Sequence, residues 1–374
     1  MNVRNAHAAE ATVDLGAVRH NVGLLREAAR GAEVMAVVKA DGYGHGEVPV
    51  ARAALAAGAR WLGTATLAEA LRLRDAGIDA PVLCWLHTPG APWESAAAAG
   101  IDVSASEPWA VGEIAEGAAR AGVPARVHLK VDTGLGRGGA AASQWLHLVE
   151  DTLKAQADGL IELVGVWSHL GSDDDPRQPR TRRQLDAFRE ALEVAERAGA
   201  RPQMRHLANS AATLTLPDAH FDLVRPGIAV YGLWPDRPLA PHDLRPAMTL
   251  AARLAQVKPA AAGQGVSYGH VYTTTCATHL GLVPLGYADG VPRQAGGVAP
   301  VLAAGRRRTI AGRVCMDQFM LDLGTAEAAA GDEVVLFGPG DAGEPTAAQW
   351  ARPLGTLTNE LVTGIGARVP RTYR

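Results

Sequence analysis

From residue 34 to about residue 233 the chain alternates two hydrophobic patterns. Short apolar or β-branched runs lie at 34–40 (VMAVVKA), 61–66 (WLGTAT), 80–86 (APVLCWL) and 101–106 (IDVSAS). They continue at 126–132 (RVHLKVD), 162–170 (ELVGVWSHL), 203–209 (QMRHLAN) and 222–233 (DLVRPGIAVYGL). Helical spacing separates most of them. It is clearest over 181–198, where Leu185, Phe188, Leu192 and Ala195 share a face and Gly199 follows as a stop. Eight strand candidates, each with room for a helix after it, predict an α/β fold built on a parallel (β/α)8 TIM barrel rather than an open sheet. The glycine turn of a dinucleotide fold is missing, since GYGHG (42–46) has a different spacing.

Beyond about residue 239 the rhythm changes. Runs such as MTLAARLAQVK, THLGLVPLGYADG and DEVVLFGPG read as strands joined by Gly, Pro and Asp turns. A helical stretch, TAAQWARPLGTLTNELVTGIG, follows near the C-terminus. The division expected is therefore a barrel at 12–238 and a smaller, mainly β domain at 239–374. The acidic GSDDDP (171–176) is expected to be a solvated loop.

Composition narrows the function classes. Lys+Arg at 36 against Asp+Glu at 39 gives no long-range attraction for nucleic acid or an acidic membrane. No apolar run approaches the roughly 20 residues of a membrane helix, and the first residues lack a secretory h-region. Cys84, Cys276 and Cys315 are too few and too scattered for a disulfide framework or a metal site, so none is expected. A cytoplasmic enzyme is the expectation.

Barrel active sites sit at the C-terminal ends of the strands. The polar residues falling there are Lys39, Ser104, Ser106, Lys130, Asp132, Ser168, His169, His206, Asn209, Ser210 and Arg225. Two lysines in otherwise apolar strands are the odd feature, because a buried ammonium is unfavourable unless paired or used. A desolvated Lys39 has a depressed pKa and can form a Schiff base, while pairing with Asp41 explains its position equally well. The backbone N–H groups at Arg225-Pro226-Gly227-Ile228 suit a phosphate, and Asn209-Ser210 on the preceding strand end could add a hydroxyl. Schiff-base lysine and phosphate cradle together suggest pyridoxal 5'-phosphate (PLP).

The ordered motifs AVVKADGYGHG (36–46), VHLKVDTGLGR (127–137), HLANSAA (206–212), VRPGIAVYGL (224–233), VSYG (266–269), PLGYADG (284–290) and GRVCMDQ (312–318) resemble the alanine racemase family along almost the whole chain. The resemblance implies a PLP-dependent homodimer that interconverts L- and D-alanine, a peptidoglycan precursor. It also implies that residues 1–11 pair into the β domain. By motif, Lys39 holds the cofactor, Tyr43, Ser210, Gly227 and Ile228 bind its phosphate with Asn209 beside them, and Arg225, supported by His169, faces the pyridine nitrogen. Lys39 and Tyr268, the latter from the partner subunit, are the implied bases on opposite faces of the substrate. Such a tyrosine needs a nearby cation, for which Arg137 is expected. Arg137 and the backbone of Met316 would meet the substrate carboxylate, and Tyr287 would border the entrance. Lys130 occupies a position carbamylated in many family members, although a plain ion pair with Asp132 suits it too. Cys315 is expected to pack.

One departure bears on substrate. Where the family usually carries a tyrosine before RVPR, this chain has Asn359, as serine-using relatives do. Asn is smaller and offers a donor and an acceptor to a hydroxyl, so serine or mixed activity stands as the alternative to alanine. Non-catalytic PLP-carrying proteins share the barrel but lack the β domain. PLP decarboxylases pair the barrel with different C-terminal motifs.

Overall fold

The computed structural model describes residues 7–171, 178–234 and 243–374. Barrel strands are β2 (Glu33–Val37), β3 (Trp61–Thr64), β4 (Val82–Cys84), β5 (Asp102–Ala105), β6 (Ala125–Lys130), β7 (Ile161–Trp167), β8 (Met204–His206) and β9 (Leu223–Val224), after a first strand, β1 (Ala9–Val13). The eight barrel strands are parallel in the order β8-β7-β6-β5-β4-β3-β2-β9. Bonds from Asp222 N–H to Arg205 O (3.0 Å) and Arg225 N–H to Ala208 O (2.9 Å) join the ends of the row. Alternation along the strands explains the layers. Met35, Trp61, Leu83, Val164 and Leu223 form an interior cluster, while the other strand faces pack on the surrounding helices. The expected helix is Pro179–Arg197, and it buries Leu185, Phe188, Leu192 and Ala195.

The remaining strands are β10 (Met248–Arg253), β11 (Gln256–Ala260), β12 (Gly265–Val266), β13 (Tyr272–Thr273), β14 (Thr278–Val283), β15 (Pro300–Ala303), β16 (Arg306–Ala311), β17 (Phe319–Gly324), β18 (Glu333–Phe337) and β19 (Arg371–Tyr373). All but the β12–β13 ribbon join one mostly antiparallel sheet, ordered β11-β14-β17-β16-β15-β18-β10-β1-β19. β1 lies in it between antiparallel β10 and parallel β19.

Local chemistry redraws some expected elements. The run at 222–233 is strand only at Leu223–Val224, because Pro226 and Gly227 turn the chain into a 3-10 helix at Ile228–Tyr231. The stretch at 346–366 splits into helices Ala347–Leu354 and Thr358–Thr363, since Gly355 takes a left-handed C-cap with φ +65°. β1 continues through Thr12 and Val13, so the chain enters the barrel later than residue 12. Residues 1–6, the 238/239 boundary and 172–176 of GSDDDP lie outside the described residues.

Candidate active site

Strand β2 delivers Lys39 to the C-terminal end of the barrel, and the chain then reverses hand. Ala40, Asp41, Gly42, Tyr43 and Gly44 all have positive φ, from 52° to 77°, a single left-handed turn. Each non-glycine residue there costs roughly 1–2 kcal/mol, so the surroundings must hold the turn. Glu69 Oε1 accepts the Ala40 N–H (2.8 Å), Asp41 Oδ1 accepts the Glu47 N–H (3.0 Å), and Arg371 Nε donates to Gly44 O (2.9 Å). The Asp41 carboxylate is thus engaged with backbone, and among the described residues it makes no ion pair with Lys39. Burial lowers the Lys39 pKa, with the charge of Arg137 acting in the same direction and Glu69 opposing it. Its Nζ lies 6.0 Å from the Tyr43 ring centroid and 5.9 Å from that of Trp85.

Tyr43 reaches the loop after β9. A Cβ on Gly227 would stand 2.3 Å from the Tyr43 hydroxyl, so only glycine admits that approach. Ser210 Oγ accepts the N–H groups of Gly227 (2.9 Å) and Ala229 (3.3 Å), with Ile228 between them at the start of the 3-10 turn. Asn209 has a local task as well, capping helix Ser210–Thr215 by accepting the Ala212 N–H (3.0 Å).

Arg225 is buried without a carboxylate partner among the described residues. Its guanidinium meets His206 Nδ1 (3.2 Å), His169 Nδ1 (3.3 Å), Ser168 O (2.7 Å) and Leu207 O (3.4 Å). Burial brings even this arginine down to about 9. Burial and the neighbouring Arg225 hold His169 well below its usual range, which favours a neutral ring able to accept. Arg225 and Lys130 both lie 4.6 Å from the Trp167 ring centroid. Burial, then Arg225 and Arg137, lower Lys130 to about 8. The alternative reading, a Lys130–Asp132 ion pair, is not seen among the described residues. Asp132 instead accepts the N–H groups of Gly134, Leu135 and Gly136 at 2.9–3.2 Å, shaping the loop that carries Arg137.

One chain does not bring every expected residue together. Tyr268, Tyr287 and Met316 stand on the β domain, 72%, 45% and 53% exposed, with Val271 and Val298 on the same domain also exposed. Ser267 Oγ donates to Arg313 O (2.8 Å) and lies 3.4 Å from Cys315 Sγ, and Tyr287 N–H donates to Cys315 O (3.0 Å), so these loops are tied to one another. Asn359 is half-buried on helix Thr358–Thr363, which packs on the left-handed turn. A Cβ on Gly44 would stand 2.2 Å from Val362 O. The sequence reading missed Trp85 and Trp167, which flank the cations, and it missed the link from His206 to His128 (2.9 Å) and on to Asp102 (3.1 Å). The alternation Arg126, His128, Lys130 within an apolar strand was the available signal.

Residues 13–235 match the family profile of the alanine racemase N-terminal domain, and residues 247–373 match that of its C-terminal domain. The chain belongs to the alanine racemase family. An alanine racemase from Thermobifida fusca is 58% identical over 98% of each chain, and one from Streptomyces coelicolor is 58% identical over 98% of this chain and 95% of its own. Among solved structures, the alanine racemase of D-cycloserine-producing Streptomyces lavendulae superposes with a TM-score of 0.96 at 54% identity, covering 99% of this chain and 98% of that one. The alanine racemase of Bacillus anthracis with bound L-Ala-P gives 0.90 at 36% identity, covering 100% and 96%. The family match accounts for both halves of the chain.

Proposed function

We propose that this chain is an alanine racemase that interconverts L- and D-alanine with PLP, as a homodimer in the cytoplasm, supplying D-alanine for peptidoglycan. The observation that carries the reading is the convergence at one barrel end of Lys39, its pKa lowered by burial, with the Tyr43–Gly227–Ser210 cradle and the buried Arg225. These residues fit the cofactor: an amine able to react, N–H groups and hydroxyls around a glycine whose absent Cβ leaves room, and a guanidinium for the ring nitrogen. Bound there, PLP would withdraw electrons from the amino acid and acidify its Cα–H.

The chain's own residues supply the rest. Lys39 Nζ takes or returns a proton at Cα on one face, and the hydroxyl of Tyr268 from the partner subunit does so on the other. Exposure of Tyr268 in a single chain, with Val271 at the end of the same turn also exposed, supports that sharing, since exposed apolar side chains grouped together mark an interface. Arg137 binds the substrate carboxylate with the Met316 backbone and provides the cation that Tyr268 needs. Tyr287 borders the entrance. Arg225 stays protonated and would offer the ring nitrogen N–H groups rather than a proton. Lys130 is read as carbamylated. Its lowered pKa supplies the neutral amine that carbon dioxide requires, and the new anion would sit among the charges of Arg225, Arg137 and Lys39.

Asn359 favours a second reading, serine or mixed activity, because its amide stands on the helix packed against the Lys39–Gly44 turn. Chiral chromatography of L-alanine and L-serine after separate incubation with PLP-loaded protein decides between them. D-alanine with negligible D-serine supports the first reading, comparable D-serine the second, and absence of both sinks the proposal.

A further inference from the structure

A file of polar side chains crosses the barrel interior from Arg225 toward the opposite end. His206 Nε2 lies 2.9 Å from His128 Nδ1, and His128 Nε2 lies 3.1 Å from Asp102 Oδ2. All three residues are 0–1% exposed. Arg126 Nε donates to the other oxygen of Asp102 (2.9 Å), and its Nη1 donates to Glu162 (3.0 Å) at the half-exposed end. The barrel makes room for this file. A Cβ on Gly165 would stand 2.3 Å from His128 Nδ1, so the ring occupies space that only glycine leaves free.

Donor chemistry gives the file a direction. A guanidinium can only donate, so His206 Nδ1 must accept from Arg225 and its proton sits on Nε2. That N–H points at His128 Nδ1, which must therefore accept and carry its own proton on Nε2. The last N–H meets a carboxylate, which can only accept. Read from the other end, the Asp102 charge fixes both tautomers. Reversing any one of them would set two N–H groups, or two lone pairs, against each other in a buried site.

We propose that Asp102 and His128 are positioning residues for Arg225: through His206 they hold a lone pair against one guanidinium nitrogen, fixing its orientation and supplying the remote anion it lacks nearby. The inference rests on the reading that Arg225 faces the cofactor's ring nitrogen. With the ring of His206 committed to one face, the remaining guanidinium N–H groups are left for Ser168 O, His169 and the cofactor. Asp102→Asn tests the direction. Its single oxygen is claimed by the charged Arg126, so its NH2 faces His128, which must then accept at Nε2 and send its Nδ1–H toward His206 and Arg225.

Long-range 15N–1H correlation spectra of 15N-histidine-labelled holoenzyme read the tautomers without reference to turnover. His128 and His206 are expected as neutral Nε2–H forms in the unaltered protein. In Asp102→Asn, His128 is expected to change to Nδ1–H, with kcat for alanine falling about tenfold while KM stays within about twofold. Glu162→Gln, which breaks only the outer link, is expected to leave tautomers and kcat unchanged. A charged or Nδ1-protonated His128 in the unaltered protein overturns the proposal even if the variant fails to fold. So does an Asp102→Asn protein with unchanged tautomers and kcat. A chain that makes no D-amino acid refutes the functional reading instead, whatever the tautomers.

Discussion

Gly227 offers a sharp test of the phosphate cradle. In Gly227→Ala the new Cβ meets the Tyr43 hydroxyl at 2.3 Å and its Cζ at 3.1 Å. An ordinary carbon–oxygen contact needs about 1 Å more, and the Tyr43 ring cannot easily withdraw. It packs against Tyr231 with centroids 4.8 Å apart, and Tyr231 is fully buried with its hydroxyl tied to Val37 O at 3.0 Å. Overpacking of this kind costs about 1–3 kcal/mol. The clash falls on a hydroxyl expected to hold the phosphate, so most of that loss should appear in cofactor binding, weakening PLP about 10–100-fold. Spectroscopic titration of PLP into cofactor-free protein measures it. Tyr43→Phe removes the clashing atom together with a charge-assisted hydrogen bond worth about 1.5–3 kcal/mol. In the double variant the alanine has lost its main collision, so the two losses should fall short of adding by about 1 kcal/mol. Unchanged PLP affinity in Gly227→Ala, or strict additivity, would refute the cradle.

The remaining expectations can be stated together. Lys39→Ala should lose the visible absorbance of lysine-bound PLP, while Tyr268→Phe should keep it and lose on the order of 10²–10⁴-fold in racemisation; full activity in the latter removes Tyr268 from the mechanism. Ala40→Gly should stabilise the fold by about 0.5–1 kcal/mol, since relief of a left-handed alanine exceeds the added freedom of the unfolded chain. A urea midpoint that does not rise would show the turn to be unstrained. Burial lowers His45 to about 4, with its Nδ1 2.9 Å from Tyr43 O. The unfolded chain therefore takes a proton near pH 6.5 that the folded one refuses until about 4. Stability is full above 6.5 and should fall by up to about 3 kcal/mol as pH drops through that window. Denaturation midpoints of His45→Gln should lose that part of the slope. Finally, 13C-bicarbonate should give a carbamate resonance that Lys130→Ala lacks.

Periodicity made the barrel legible because its strands are buried on both faces and its helices are amphipathic over several turns. It did less for β9 and β19, which are two and three residues long and owe their existence to the neighbours they pair with. Lys39 and Lys130 stood out as charges in apolar runs, and Lys39 with the backbone at 225–228 suggested a PLP site. The left-handed turn was not visible, because Ala40, Asp41 and Tyr43 have no intrinsic reason to adopt it. Tyr268 could not be connected to Lys39 from pattern either, since it lies on another domain and one chain leaves it exposed. Of the His206–His128–Asp102 file only His206 was picked out from the sequence, because the meeting of the three across separate strands depends on the curvature of the barrel.

The position of β1 sets a schedule for biosynthesis. Its partners are β10 and β19, and the Leu15 N–H donates to the Arg374 carbonyl (2.9 Å). A strand made early thus waits for partners made more than two hundred positions later. Arg371, which holds Gly44 O in the left-handed turn, belongs to β19 itself. The turn that follows Lys39 is therefore secured by a residue translated more than three hundred positions later.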